Sequence, residues 1–208
     1  MRLSSYFVVG DWVSSEMLRN WISTLRLKQI VYSLLLITLV LYPNLYLAGK
    51  QVISQYRGID SLVDPENPLV VAFAEEALRD ERVQSGEISV EDYVLMSIDY
   101  VRDYDLYYNA NYWASPAETL QKRAGDCEDS AIVVKSVQEY LGLNNSQIVI
   151  QPRHVYIEQN GTIIGGKSTI DSNFQGFIDS VKSMPRLRQV LIILGLFLIW
   201  GRKLLPFK

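Results

Sequence analysis

Apolar residues are bunched along this chain, and two bunches stand apart from ordinary core segments. The first, Ile30 to Ala48, reads IVYSLLLITLVLYPNLYLA and carries no charge. At about 1.5 Å per residue, a helix of that length roughly matches a hydrocarbon layer of about 30 Å. Pro43 and Asn44 interrupt the run, which predicts a kink or its outer end there. The second, Val190 to Gly201, reads VLIILGLFLIWG and is preceded by Arg186 and Arg188 and followed by Arg202 and Lys203. Extended over residues 187–205, with its basic side chains snorkelling, it is just long enough to span. The alternative is a helix lying in the interface or packed on the first span. Ahead of both, Trp12, Met17, Leu18, Trp21, Ile22 and Leu25 recur at helical spacing. They predict an amphipathic helix at a membrane surface, or one packed on a partner protein. The chain thus divides into a leader (1–28), a span (29–49), a linker (50–66), a folded domain (67–182) and a second apolar helix (187–205).

The pattern of the middle region changes from helical to alternating. Asn67-Pro68 predicts a helix start, followed by an apolar stripe of Val70, Val71, Phe73, Ala74 and Ala77. Ser89 with Asp92 forms a capping box opening a second helix. Ser115-Pro116-Ala117-Glu118 is a stronger start signal, and that short helix is expected to end at Gly125 as a left-handed cap. A further helix is predicted from Asp126-Cys127, with Ala131, Ile132, Val133, Val134, Val137 and Leu141 as its buried side. From Gln147 to Glu158 the residues QIVIQPRHVYIE read as strand. Asn160-Gly161 predicts a two-residue hairpin turn, and a second strand is expected over Thr162 to Asp171. Helices followed by strands predict an α+β domain with a helix packed on a small antiparallel sheet, flanked by N- and C-terminal membrane segments.

Charge sharpens this division. The chain has a net charge of −3. Residues 51–182 carry 21 acidic and 10 basic side chains, a net −11, and the two flanks carry 10 basic and 2 acidic, a net +8. Basic flanks beside apolar runs suit an anionic membrane surface. An acidic middle argues against nucleic acid as a partner. Arg19, Arg26 and Lys28 precede the first run, so the positive-inside bias favours a cytoplasmic N-terminus. The expected location is the cell membrane, in two passes, with the folded domain outside the cytoplasm. The charged leader is too long for a cleaved signal peptide.

The candidate chemistry rests on single residues. Cys127 is the only cysteine and His154, 27 positions later, the only histidine. A lone Cys forms no internal disulfide, and one Cys with one His makes a poor metal site. With a carboxylate to orient the imidazole, the pair is what thiol nucleophilic catalysis needs. Cys127 is predicted in the first turn of a helix, where unpaired amides favour a thiolate. Asp126 and Glu128 act against that, so activation is expected to depend on His154. Asp171 is the expected orienter, with Asn173 as fallback. A two-residue Asn160-Gly161 turn pairs positions whose numbers sum to 321, which sets His154 opposite Lys167. Bringing it level with Asp171 requires a bulge near Gly165-Gly166.

The run Tyr112-Trp113-Ala114-Ser115-Pro116-Ala117-Glu118-Thr119-Leu120, followed by Arg123-Ala124-Gly125-Asp126-Cys127-Glu128-Asp129-Ser130-Ala131-Ile132, resembles the transglutaminase-like superfamily. The likeness is to its bacterial transglutaminase-like cysteine proteinase branch and to small archaeal relatives. His154-Val155-Tyr156 resembles the family's His-Val-Trp, with Tyr in place of Trp. Ile170-Asp171 resembles its hydrophobic-Asp element. The resemblance covers roughly Val94 to Asn173 and neither apolar run. It implies a papain-like core in which Cys127 is nucleophile, His154 general base and acid, and Asp171 orienter. Trp113 and Gln121 are candidates for a further oxyanion or substrate contact, with packing as the alternative for Trp113.

These readings converge on a membrane-anchored thiol acyl-transfer enzyme acting on a protein or peptide, most simply a cysteine peptidase or amidase. Resolution of the thioester by an amine instead of water makes it a transglutaminase. From a different class, the same chain reads as a membrane-tethered interaction module without activity. A redox-sensing Cys127 is disfavoured by the lack of a resolving cysteine. No cofactor is implied, and the acidic runs have no EF-hand spacing.

Overall fold

The computed structural model of the chain describes residues 10–143, 145–151, 154–165, 182 and 184–201, without the side chains of 10–25. Asp171, Asn173, Lys167, the expected strand beyond Gly165 and the polar and apolar faces of the leader lie outside that description. The chain forms two compact units, one of residues 1–41 with 186–208 and one of residues 42–185.

The first unit is a pair of apolar helices, α1 (Gly10–Leu41) and the C-terminal helix (Arg186–Gly201). They run antiparallel. Gln29 Nε2 donates to the Ile199 carbonyl at 3.0 Å, and Trp200 Nε1 donates to Ser33 Oγ at 3.0 Å. Further along the pair Gly195 faces the tip of the Leu36 side chain, which would have to shift to admit a Cβ there. Small residues at such contacts let helix backbones approach. The outer faces stay apolar, with Leu34, Leu35, Ile193 and Leu198 among the exposed residues. Among the described residues no single helix is long and apolar enough to cross a membrane. The stretch Arg26–Leu41 meets that criterion only when taken together with Leu45–Arg57, by length and composition.

The second unit is mixed α and β, mostly helical with small sheets. It begins with α2 (Leu45–Arg57), which is capped by Asn44, whose side chain accepts from the Leu47 amide. This differs from the expected span over 29–49 and linker over 50–66. Helix α1 stops at Leu41, before Pro43, and residues 45–57 form a separate helix followed by a 3-10 turn at Ile59–Leu62. Gln51, in the expected linker, is buried.

Next come α3 (Pro68–Arg79), α4 (Glu81–Gln84), α5 (Val90–Met96), β1 (Asp99–Tyr100), α6 (Asp103–Leu106), α7 (Pro116–Lys122), β2 (Ala124–Gly125), α8 (Cys127–Tyr140), β3 (Ser146–Gln151), β4 (His154–Gln159) and β5 (Thr162–Ile164). The C-terminal helix of the first unit is α9. The local start signals act as read. Asn67 caps α3 with Pro68 behind it, and both capping boxes, Ser89 with Asp92 and Ser115 with Glu118, are closed. The expected cap at Gly125 is a correction: α7 ends at Lys122 and Arg123 takes the left-handed conformation, φ 50°. Its guanidinium lies 4.6 Å from the Phe73 ring centroid and 3.0 Å from Glu76, contacts that hold it there.

Helix α8 is the centre of the core. Ile132, Val133, Val134 and Val137 are fully enclosed between Val70, Phe73, Ala74 and Val94 of α3 and α5 and Val155 and Ile157 of β4. Strands β3, β4 and β5 form an antiparallel sheet with β4 in the middle. The stretch 147–158, read as one strand, is therefore two, reversing between Gln151 and His154, which pair with each other. The second hairpin is as expected: Gln159 pairs with Thr162 and Ile157 with Ile164, each summing to 321, across Asn160 (φ 51°) and Gly161 (φ 80°). Two positive φ values in a two-residue loop are what the right-handed twist of the flanking strands requires. A parallel pairing of β1 with β2 was not foreseen. It sets Tyr100 beside Gly125 at the approach to Cys127.

Candidate active site

Cys127 is the first residue of α8, carried there by β2. Gly125 is constrained by its neighbour, not by its own φ. A Cβ built on it lies 2.7 Å from Asp129 Cβ and 2.8 Å from Asp129 Oδ2, inside van der Waals contact. Asp129 is wholly buried, and its Oδ1 accepts the Ala114 amide at 2.8 Å. It also accepts the Asp126 amide. One carboxylate thereby ties the Trp113-Ala114 segment to the turn that delivers Cys127.

The same segment is gripped at three successive amides. Tyr112 N–H donates to Asp103 Oδ2 at 2.6 Å, Trp113 N–H to Gln51 Oε1 at 2.7 Å, and Ala114 N–H to Asp129 Oδ1. Buried side chains from α6, α2 and α8 thus hold one strip of backbone, whose Trp113 lines a cavity with Cys127. Each lost bond would strand a buried N–H at about 1–3 kcal/mol.

Cys127 and His154 line the same two cavities. One, about 190 Å³, is mainly apolar, with walls from Leu95, Ile98, Val134, Ile157 and Ile164. The other, about 320 Å³, is mixed, with Trp113, Asp103, Asp126, Glu128 and Arg102 among its walls. The Val155 amide donates to the Cys127 sulfur. His154 Nε2 lies 3.1 Å from the Gly165 carbonyl oxygen, and its ring stacks with Tyr156 at 6.1 Å between centroids. The His154–Tyr156 contact agrees with the expected shared face of the strand. Gln121 is exposed and lines neither cavity.

The thiol does not have the low pKa expected of a helix N-terminus. Cys127 donates to Glu128 Oε2 at 2.9 Å. Burial raises its pKa most, followed by the charge and hydrogen bond of Glu128 and the charge of Asp126; the Val155 amide acts in the opposite direction. Carboxylates crowd the same place. Burial and the charge of Glu128 push Asp103 up to about 7, against the Tyr112 amide bond. Burial, then Glu128, Asp103 and Asp129, push Asp126 up to about 11. Asp129 is raised well above the ordinary range, chiefly by burial.

Among the described residues, two groupings bring one ligand atom from each residue within 4.8 Å of the others: Asp126, Cys127 and Glu128, and Asp103, Asp126 and Asp129. Asp103 Oδ1, Asp126 Oδ1 and Asp129 Oδ2 are buried without a hydrogen-bond partner. Such a cluster relieves its repulsion by keeping protons or by taking a cation.

Sequence reasoning missed the roles of Gln51, Asp103, Asp129 and the Gly165 carbonyl. No family model, no curated protein and no solved structure matched the chain.

Proposed function

We propose that this protein is a membrane-anchored, transglutaminase-like thiol acyl-transfer enzyme with a papain-like core, acting as a cysteine peptidase or amidase. The observation that carries this reading is that the only thiol and the only imidazole open onto the same two cavities, with the Val155 amide on the sulfur. If Nε2–H is donated to the Gly165 carbonyl, Nδ1 is the basic nitrogen. Cys127 S–H turns from Glu128 to Nδ1, the proton passes to the imidazole, and sulfur attacks the substrate carbonyl. The amides of the first turn of α8 stabilise the oxyanion. The C–N bond breaks as the imidazolium protonates the leaving amine, and the acyl group remains as a thioester. Water, deprotonated by the imidazole, displaces the sulfur and releases the acid; an amine in its place yields a new amide. In this arrangement the Gly165 carbonyl takes the orienting role that the resemblance implies for Asp171. The two apolar helices anchor the enzyme in two passes with the catalytic unit on the exported face.

The second reading, an inactive tethered binding module, draws support from the raised thiol pKa and its bond to Glu128. Alkylation of Cys127 in the full chain, followed against pH with His154→Ala beside it, separates the two. Alkylation well below pH 8 that is lost in the variant supports the enzyme. A profile unchanged by His154→Ala refutes it. A glutamine peptide with a labelled primary amine then decides between hydrolysis and transamidation.

A further inference from the structure

Helix α2 has two faces of opposite character, and only one is used by its own unit. The inner face is polar and committed. Gln51 holds the Trp113 amide, Lys50 Nζ lies 3.0 Å from Glu118 Oε1, and Leu47 packs on the Tyr107–Tyr112 cluster. Asn44, at the helix start, exchanges two hydrogen bonds with the fully buried Asn109, at 3.2 and 3.1 Å. The outer face is apolar and open. Tyr56 is 92% exposed, Tyr46 75%, Val52 66%, Leu45 60% and Ile53 53%. Positions 45, 46, 49, 52, 53 and 56 fall within an arc of about 120° at about 100° per residue, the width of a buried stripe. Among the described residues of its own unit, nothing covers it.

We infer that this outer face of α2 lies in the headgroup layer of a lipid bilayer and seats the catalytic unit on the membrane. The inference rests on the membrane-anchor reading of α1 and α9. Chain continuity selects the bilayer as occupant. The apolar α1 ends at Leu41 and α2 begins at Leu45. Four residue steps reach at most about 14 Å, so Leu45, the first residue of α2, stays within that distance of the end of α1. The composition suits that level. Two tyrosines accompany the aliphatic residues, and aromatic side chains with one polar end favour the interface. Arg57 borders the stripe where anionic headgroups would lie. An interfacial helix buries its apolar face about 5–10 Å into the headgroup and acyl boundary. This position would hold Gln51, and through it the Trp113 strip beside Cys127, at a fixed height above the membrane.

The test uses the full chain with Cys127→Ser, reconstituted in vesicles of neutral and anionic phospholipid. Single cysteines are introduced at Val52, Ile53 and Tyr56, and for comparison at Asp60 on the 3-10 turn, at Leu34 in α1 and at Ile193 in α9. Each carries a nitroxide whose collisions with oxygen and with a water-soluble nickel chelate report its depth. The expected result is that Val52→Cys, Ile53→Cys and Tyr56→Cys report about 5–10 Å of immersion, Asp60→Cys reports water, and Leu34→Cys and Ile193→Cys lie deeper still. Water at all three α2 positions with lipid at Leu34→Cys and Ile193→Cys overturns the seating and leaves the anchor standing. Water at those two positions as well overturns the anchor, and the seating with it. Labels on α2 shielded from both reagents mean that a second copy or a protein partner covers the face, which also overturns the inference.

Discussion

Replacing Glu128 by Gln tests whether the thiol is held back by its neighbour. Glu128 is buried and its Oε2 stands 2.9 Å from Cys127 Sγ. Forming a thiolate there sets two negative charges side by side. At an effective dielectric of about 20, charges about 3 Å apart repel by roughly 5–6 kcal/mol. At about 1.4 kcal/mol per pKa unit, that bounds the lowering of the thiol pKa in Glu128→Gln at about four units. Glutamine keeps a carbonyl that accepts the thiol proton, and neighbouring groups rearrange, so about half the bound is expected. A thiol gains thiolate as its pKa falls but each thiolate becomes less reactive, leaving about threefold in rate per unit. The net expectation is an alkylation rate at pH 8 about tenfold above that of the parent chain. Iodoacetamide alkylation followed by intact mass measures it, with a chelator present in every sample so that no adventitious cation screens the carboxylates. A rate unchanged or slower in Glu128→Gln refutes the electrostatic account. The thiol would then be held back by burial alone, which is the largest single cause of its shift.

Other consequences follow from the same geometry. Gly125→Ala forces a methyl to within 2.7 Å of Asp129 Cβ, and overpacking of that kind costs about 1–3 kcal/mol; a thermal midpoint equal to the parent's would contradict it. Gln51→Ala strands the part-buried Trp113 amide, so the midpoint should drop by about 2–8 °C, with a shift inside the error of repeat scans as the disproof. Asp103 has a folded pKa raised to about 7, so the stability it contributes is full below about pH 4 and is lost as pH rises through about 7. Asp103→Asn removes that loss: its midpoint minus the parent's should grow more positive from pH 4 to pH 8, and a constant difference would rule the charge out. Glu118 is held below the usual carboxylate range, mainly by the Ser115 amide and Lys50 acting against burial. Its contribution is present above about pH 4.5 and fades as pH falls, so Glu118→Gln should cost most near neutrality, about 1 kcal/mol for the cap, and least below pH 4.

What could be read in advance was local. Asn67-Pro68, Ser89 with Asp92, and Ser115 with Glu118 each satisfy their own helix's first amides within three or four residues. Asn160-Gly161 likewise sets its turn by φ values that only a few residue types accept. The misreadings concern groups whose role is decided at long range. Gln51 sits in a stretch that reads as linker because its partner, the Trp113 amide, is 62 residues away. The β1–β2 pair has two residues per strand and no alternation to detect.

The Gly125-Asp126-Cys127-Glu128-Asp129 run joins both kinds of information. As a string it marks a thiol at a helix start, and Cys127 does open α8. The reason for each member emerges only from the packing. Gly125 is needed to clear Asp129, Asp129 because an amide 15 residues back must be held, and Glu128 because it accepts the thiol's hydrogen bond. A helix N-terminus favours a thiolate by a partial charge, whereas Glu128 opposes it with a full charge at contact distance in a buried setting. The adjacent charge wins that comparison. Any catalysis here must therefore begin by moving Glu128, neutralising it, or turning the thiol away from it toward His154.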